Sequence, residues 1–394
     1  MKYHIVTFGC AANIADSERI AKYYEEQGYA VAKKLEDADV CVVVTCMIRQ
    51  SAEDRVCGLA QKIEKLRLKK KIQFIVSGCM TGLITRDTTG KLERMFHKRI
   101  PAVDAFIPIE EIGVEGRQKR TSRTQALIPI SNGCNNFCTY CVVPYARGRE
   151  VSRAYTTIIQ ECREAIAEGA VDITLVGQNV NSYGSDIVSA STKDGEDFEL
   201  EGKKVTPVLV NHLGKMRIPT LFPFLLEAVA TLSGVRTVDF ISSNPWDFSD
   251  ELIAVIQNNP TVSRHIHLPV QSGDDEVLQS MNRWYTTAEY ESLVKKIRGK
   301  IPDMTFSTDI IVGFPGETEK QFENTVSFCE RVGFTKAYVA MYSDRPKTKA
   351  HESLIDDVTK KEKRRRWIVL EELINKTNLR KGTYTLTQKN QKIK

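Results

Sequence analysis

No apolar run in this sequence approaches the roughly 18 residues of a membrane-spanning helix. Residues 1–8 enter a strand-like run at once, without the apolar core segment of a secretory leader. A cytoplasmic protein that meets no membrane is therefore expected. Disulfides are not expected either, because a reducing compartment keeps thiols free. Ten cysteines in such a chain point instead to metal ligation or catalysis. The composition is otherwise ordinary: 42% hydrophobic and 27% charged residues suit a globular protein, and 394 residues suffice for two or three domains.

A basic surplus is missing from most of the chain. Lys360–Lys394 holds twelve Lys/Arg against three Glu, or +9, so residues 1–359 sum to −3 of the total +6. Such a tail suits contact with nucleic acid, and equally a solvated helix face.

Cys134, Cys138 and Cys141 stand in a C-x3-C-x2-C spacing, with Gly133 before the first and Tyr140 just before the third. What this loop lacks is a fourth ligand. Zinc would want another nitrogen or sulfur nearby. An iron–sulfur cube usually takes four thiolates, so three leave one iron open for a small molecule. Three buried structural thiols are the plainer alternative.

In the N-terminal third, residues 2–8, 40–45 and 72–77 read as buried strands. They alternate with helices, one capped by Asp16-Ser17-Glu18 and running to Gln27, another reaching about Lys70. The alternation predicts a doubly wound parallel sheet, whose functional groups gather beyond the carboxyl ends of the strands. Cys10, Cys46 and Cys79 each follow such a strand, so they are expected to converge as a second three-thiolate site. Coincidence is the alternative. Cys41, Cys57, Cys162 and Cys329 fall inside predicted elements and read as small core residues.

From residue 126 the pattern is strand, loop, helix, repeated. Strands are expected at 126–130, 171–176, 237–242, 264–268, 304–312 and 336–342, with helices such as 156–168, 222–232, 288–299 and 317–333 between them. Periodicity does not separate an open (β/α)6 barrel from a second doubly wound sheet. Short polar motifs lie just past the strands: Gly177-Gln178-Asn179, Ser242-Ser243-Asn244-Pro245, Pro269-Val270-Gln271-Ser272-Gly273, and the segment from Asp309 to Glu317. Each alone is ordinary turn chemistry. His265 and His267 read as barrel-facing core groups. Residues 185–218 give only a polar insertion with one short hairpin. Residues 359–381 read as a basic helix packing Trp367, Leu370, Leu373 and Ile374 inward with its charged face outward, followed by a strand-like 383–387.

The cysteine triad is the mark of radical S-adenosylmethionine (SAM) enzymes. The run from Cys141 through Pro144, Arg147 and Gly148 to Arg153 resembles the methylthiotransferases among them, of the MiaB type. So do Gly9-Cys10, Thr45-Cys46, Ser77-Gly78-Cys79 and the Gln178-Asn179-Val180-Asn181-Ser182-Tyr183-Gly184 run. The resemblance covers about residues 1–380. It implies an α/β protein: an N-terminal doubly wound parallel-sheet domain over 1–120, a radical-SAM partial (β/α)6 barrel over 121–355, and a basic C-terminal helix and tail over 356–394. It implies two [4Fe–4S] clusters, the SAM-cleaving one on Cys134, Cys138 and Cys141 and an auxiliary one on Cys10, Cys46 and Cys79. SAM contacts would come from Tyr140, Gln178, Asn179, Ser243, Gln271 and Asp309, and from Arg283 as a carboxylate clamp, for which a surface salt bridge is the alternative.

The implied reaction is methylthiolation of C2 of N6-isopentenyladenosine next to the anticodon of tRNA. One SAM would methylate the sulfur. Another would yield a 5′-deoxyadenosyl radical that takes the C2 hydrogen. Implied partners are tRNA and a reducing donor such as flavodoxin or ferredoxin, with the enzyme a monomer. Sister subfamilies act on threonylcarbamoyl-adenosine or on a ribosomal-protein aspartate; a non-catalytic metal-cluster RNA-binding protein is the rival of another class. The family usually has Asn where this chain has Val44, Gln-Met or similar at Ala11-Ala12, and Gly at Lys347. It usually continues into a small tRNA-gripping β-barrel, the TRAM domain, which this sequence is expected to lack.

Overall fold

The computed structural model describes residues 1–47, 50–111, 119–191, 196–212 and 216–381. The chain divides into two compact units, one of residues 1–135 and 141–178, the other of 136–140 and 179–394. Part of the polar insertion and the strand-like 383–387 lie outside the described residues.

The first unit is built on a five-stranded, wholly parallel sheet. Its elements are β1 (Lys2–Phe8), α1 (Ala11–Glu26), β2 (Ala30–Val31), β3 (Val40–Thr45), α2 (Gln50–Arg67), β4 (Gln73–Gly78), α3 (Cys79–Thr85), α4 (Lys91–Arg99) and β5 (Ala105–Phe106), in sheet order β2-β1-β3-β4-β5. Central β3 is buried at every position because both faces are covered. Val40, Val42 and Val44 pack with Tyr3, Ile20 and Tyr24 on the α1 side. Cys41 and Val43 pack with Val56, Ile63, Leu83 and Phe96 on the other. That explains an apolar run with no alternation.

The α1 helix starts earlier than its acidic residues suggest. Cys10 is the N-cap, in a capping box with Asn13, and Asp16, Ser17 and Glu18 lie buried in the helix interior. The two carboxylates are taken by distant partners rather than by the helix end: Asp16 by Arg147, Glu18 by Thr121.

The same unit continues with β6 (Gln125–Pro129), β7 (Ser131–Asn132), α5 (Val143–Arg147), β8 (Val151–Ser152), α6 (Tyr155–Ala167) and β9 (Asp172–Val176). β6 pairs with β9 in parallel, and β7 with β8 antiparallel.

The second unit opens on what the sequence left unresolved. α7 (Ser185–Ser191) is followed by two antiparallel hairpins, β10 (Phe198–Leu200) with β11 (Lys203–Val205) and β12 (Val208–His212) with β13 (Met216–Thr220). Strand–helix alternation then resumes: α8 (Phe222–Ala230), β14 (Thr237–Ile241), α9 (Asp250–Asn258), β15 (His265–His267), α10 (Asp275–Ser280), α11 (Thr287–Lys300), β16 (Thr305–Val312), α12 (Glu319–Val332) and β17 (Lys336–Met341). β15, β16 and β17 form a parallel sheet. A capping box of Thr318 and Gln321 starts α12, and Gly333 ends it in the left-handed conformation.

After α13 (Lys349–Ser353), α14 (Lys360–Leu370) runs through one π-helical turn (Glu371–Lys376) into α15 (Thr377–Arg380). Leu370 and Ile374 are buried and the Trp367 indole donates to the Val339 carbonyl, as the apolar spacing predicts. The charged side is less simple than expected. Lys363 and Arg366 are buried and paired with Asp356 and Glu317, while Lys360, Lys361 and Arg364 stay exposed. Among the described residues no helix is long and apolar enough to cross a membrane.

Candidate active site

Three neighbouring strands bring Cys10, Cys46 and Cys79 to one edge. In register, Phe8 of β1 lies beside Thr45 of β3, and Thr45 beside Gly78 of β4. Cys46 and Cys79 follow that row at once, and Cys10 comes two residues after Phe8. The Cys46 amide donates to the Phe8 carbonyl at 2.9 Å. Gly78 is required here: its φ is +86°, and a Cβ would stand 2.7 Å from the Thr45 carbonyl oxygen.

Positive groups stand beside two of these thiols, while burial, and after it the neighbouring Cys79, push the Cys10 thiol above its ordinary value. Cys10 sits at the N-terminus of α1, the positive end of the helix dipole. Its amide donates to Asn13 Oδ1 at 3.3 Å, and Asn13 Nδ2 lies 4.0 Å from Cys79 Sγ. Arg147, at the end of α5, is buried with its guanidinium spread over three partners. Nε donates to Cys79 Sγ at 3.2 Å, Nη1 to Asn132 Oδ1 at 3.0 Å and Nη2 to Asp16 Oδ2 at 2.5 Å. Among the described residues no three Cys, His, Asp or Glu side chains are grouped tightly enough to share one metal ion. Thiolates on separate irons of a cube stand further apart, so three thiols at one edge beside a buried cation fit an anionic iron–sulfur cluster.

Within the same unit the loop of Cys134 is tightly held. The Gly133 amide donates to Gln178 Oε1 at 2.6 Å and the Cys134 amide to the Gly148 carbonyl at 3.2 Å. Gly133 has φ +86°, and a Cβ there would meet the Arg149 carbonyl oxygen at 2.1 Å. Cys134 is buried, and Cys141 half-buried.

In the second unit, the segment 136–140 is bonded to the end of α10. Thr139 donates from its amide to Met281 and from its hydroxyl to Ser280, and Asn282 Nδ2 donates to the Phe137 carbonyl at 3.1 Å. Tyr140 packs against Val277, Met281, Phe314, Tyr342 and Ala350. Arg283 is buried rather than in a surface salt bridge. It donates to Cys138 Sγ at 3.5 Å, Asn244 Oδ1 at 3.1 Å and the Pro269 carbonyl at 3.0 Å, and its guanidinium lies 4.4 Å from the Trp246 ring centroid.

Of the remaining expected residues in this unit, Ser243 and Gln271 follow β14 and β15, and Asp309 lies inside β16. Asn179 is buried, donating to Asp247 and accepting from Asn244. Ser243 Oγ and Trp246 Nε1 are buried without a hydrogen-bond partner among the described residues, so both are open to a polar ligand. Ser242 and Gln271 have φ of +74° and +70°, a strained conformation for residues with side chains. Gln271 exchanges backbone bonds with Asp309 and Ile311. His265 and His267 are half-buried and share the Ser307 hydroxyl, and His267 Nε2 lies 3.3 Å from Asp309. Burial, then the charges of His267 and Lys336, push the His265 imidazole down to about 4; burial lifts the nearby Asp239 carboxyl to about 6.

Sequence reasoning gave no role to Arg147, Asn13, Asp247 or Trp246. For Arg147 the signal was its place six residues after Cys141; for Asn13, its helix-capping distance from Cys10. Asp247 and Trp246 left no readable pattern.

The model of the radical SAM superfamily matches residues 128–329, and that of the uncharacterized protein family UPF0004 matches residues 2–97. The tRNA-2-methylthio-N(6)-dimethylallyladenosine synthase of Caldicellulosiruptor saccharolyticus is 38% identical over 95% of this chain and 79% of its own length. The enzyme of that name from Thermotoga petrophila is 36% identical over 96% of this chain and 82% of its own length. Among solved structures, the radical SAM methyltransferase TsrM from Kitasatospora setae, with tryptophan and a SAM analogue bound, superposes with a TM-score of 0.58. It covers 89% of this chain and 75% of its own at 13% identity, a likeness of fold. This chain belongs to the tRNA-2-methylthio-N(6)-dimethylallyladenosine synthase family of radical SAM enzymes.

Proposed function

We propose that this chain converts N6-isopentenyladenosine next to the anticodon of tRNA to its 2-methylthio form, in the cytoplasm, with SAM as methyl donor and radical source. The observation that carries the reading is the second cysteine triad. SAM cleavage needs only the C-x3-C-x2-C loop; Cys10, Cys46 and Cys79 past adjacent strands give the transferred sulfur a place to be held. The relatives' names favour this over threonylcarbamoyl-adenosine, a ribosomal-protein aspartate or a non-catalytic RNA-binding protein.

Cys134, Cys138 and Cys141 would hold one [4Fe–4S] cluster, and Cys10, Cys46 and Cys79 the other. When bound, the clusters supply the electron that cleaves SAM and the sulfur that is transferred. Tyr140, Asn179, Ser243, Gln271 and Asp309 form the proposed lining of the SAM site. The orphaned Ser243 hydroxyl is the most available hydrogen-bonding group. Gln178 and Arg283 act through the loop, holding Gly133 and Cys138. The adenine must leave its stack to be reached. The exposed Lys360, Lys361 and Arg364 of α14 suit salt-sensitive phosphate contacts. In this reading the domains are 1–120, 121–355 and 356–394, the enzyme is a monomer, and a flavodoxin or ferredoxin delivers the electrons.

The test is a pair of variants reconstituted with iron and sulfide. Cys134→Ala is expected to lose SAM cleavage and about half of the roughly eight irons of two cubes. Cys79→Ala is expected to cleave SAM and form no methylthio product. A Cys134→Ala protein that cleaves SAM at the parent rate would sink the mechanism.

A further inference from the structure

We infer that Arg147 is a positioning residue that sets the reduction potential of the auxiliary cluster and ties its site to the loop of the SAM-cleaving one. The inference rests on the reading of Cys10, Cys46 and Cys79 as cluster ligands. It concerns a residue with no assigned part in the chemistry.

The geometry lies wholly within the first unit. Arg147 is buried, so its charge is unscreened by solvent, and its partners fix all three guanidinium nitrogens. Asp16 anchors it from α1, the helix that Cys10 caps. Asn132 anchors it from the strand that leads into Gly133 and Cys134. The third edge points at Cys79 Sγ. The backbone around it leaves no slack. Arg147 ends α5, which packs on α3 so closely that a Cβ on Gly82 would stand 2.0 Å from the Ala146 carbonyl oxygen. Arg86 Nη1 closes the same junction by donating to Ala146 at 2.9 Å and to Gly82 at 3.2 Å. One short segment, 141–147, thus starts at a ligand of the SAM-cleaving triad and ends on a ligand of the other.

Hydrogen bonds to cluster sulfurs and nearby positive charge stabilise the reduced, more negative state, which raises the potential. Removing the guanidinium removes both. The direction is therefore fixed: without Arg147 the auxiliary cluster is harder to reduce.

The experiment isolates that cluster in the full chain by replacing Cys134, Cys138 and Cys141 with Ala, then compares Arg147, Arg147→Lys and Arg147→Met after anaerobic reconstitution. Iron content and a titration followed by electron paramagnetic resonance are read together. With about four irons bound, Arg147→Met is expected to lower the midpoint by at least the 59 mV that corresponds to a tenfold change in a one-electron couple. Arg147→Lys, which keeps the charge and loses the forked geometry, is expected to fall between. If Arg147→Met binds no iron, Arg147→Lys decides: a midpoint equal to the parent's overturns the inference. An unmoved potential with four irons in all three proteins overturns it while leaving the ligand assignment intact. A triple-alanine parent without iron overturns both.

Discussion

Lys347 holds a left-handed backbone, φ +71°. An L side chain there costs about 1 kcal/mol. Lys347→Gly is therefore expected to raise stability by roughly 0.5–1 kcal/mol, since glycine's extra unfolded-state freedom offsets part of the gain. A urea-unfolding midpoint checks it. Two other residues set opposed pH dependences. His265 is held down to about 4, so the unfolded chain binds the proton first, and His265 costs stability as pH falls from about 6.5 to 4. Asp239 is held up to about 6, so the folded chain binds the proton first, and stability falls as pH rises from about 4 to 6. In the parent the two slopes largely cancel. His265→Gln is expected to leave a protein that loses on the order of 1–2 kcal/mol between pH 4 and 6; Asp239→Asn one that gains a similar amount up to pH 6.5. Thermal midpoints across that range measure both. At this scale the cysteines were legible because each closes an apolar strand. Asp16 and Glu18 misled because their partners, Arg147 and Thr121, lie more than a hundred residues away.

Among elements, the junction of α3 and α5 is the most constrained. A helical Gly→Ala change ordinarily stabilises by up to about 1 kcal/mol. At Gly82 the new methyl would run into the Ala146 carbonyl, so the sign reverses: Gly82→Ala is expected to cost roughly 1–3 kcal/mol by chemical denaturation. A stabilised Gly82→Ala protein would mean that α3 and α5 are not in close contact. The N-terminal strands were legible to within a residue or two because a sheet covered on both faces needs continuous apolar runs. The hairpins after α7 were not. β10 and β11 together bury one residue, so their sequence carries no apolar alternation to read.

Over the whole molecule, the sequence pattern left a barrel and a second doubly wound sheet unseparated, because both repeat the same strand–helix unit; the resemblance carried by the motifs chose between them. The tail's charge was legible in amount and only partly in placement. Lys363 and Arg366 turn inward because Asp356 and Glu317 wait there, and pairing offsets the cost of burying charge. Transfer of a methylthio group to a nucleoside of tRNA is measured by mass spectrometry of tRNA nucleosides from a host deficient in this modification and expressing the chain. 2-Methylthio-N6-isopentenyladenosine is expected in that tRNA, and is expected to be lost with Cys134→Ala. Unmodified N6-isopentenyladenosine alongside soluble, iron-loaded, SAM-cleaving protein would contradict that expectation.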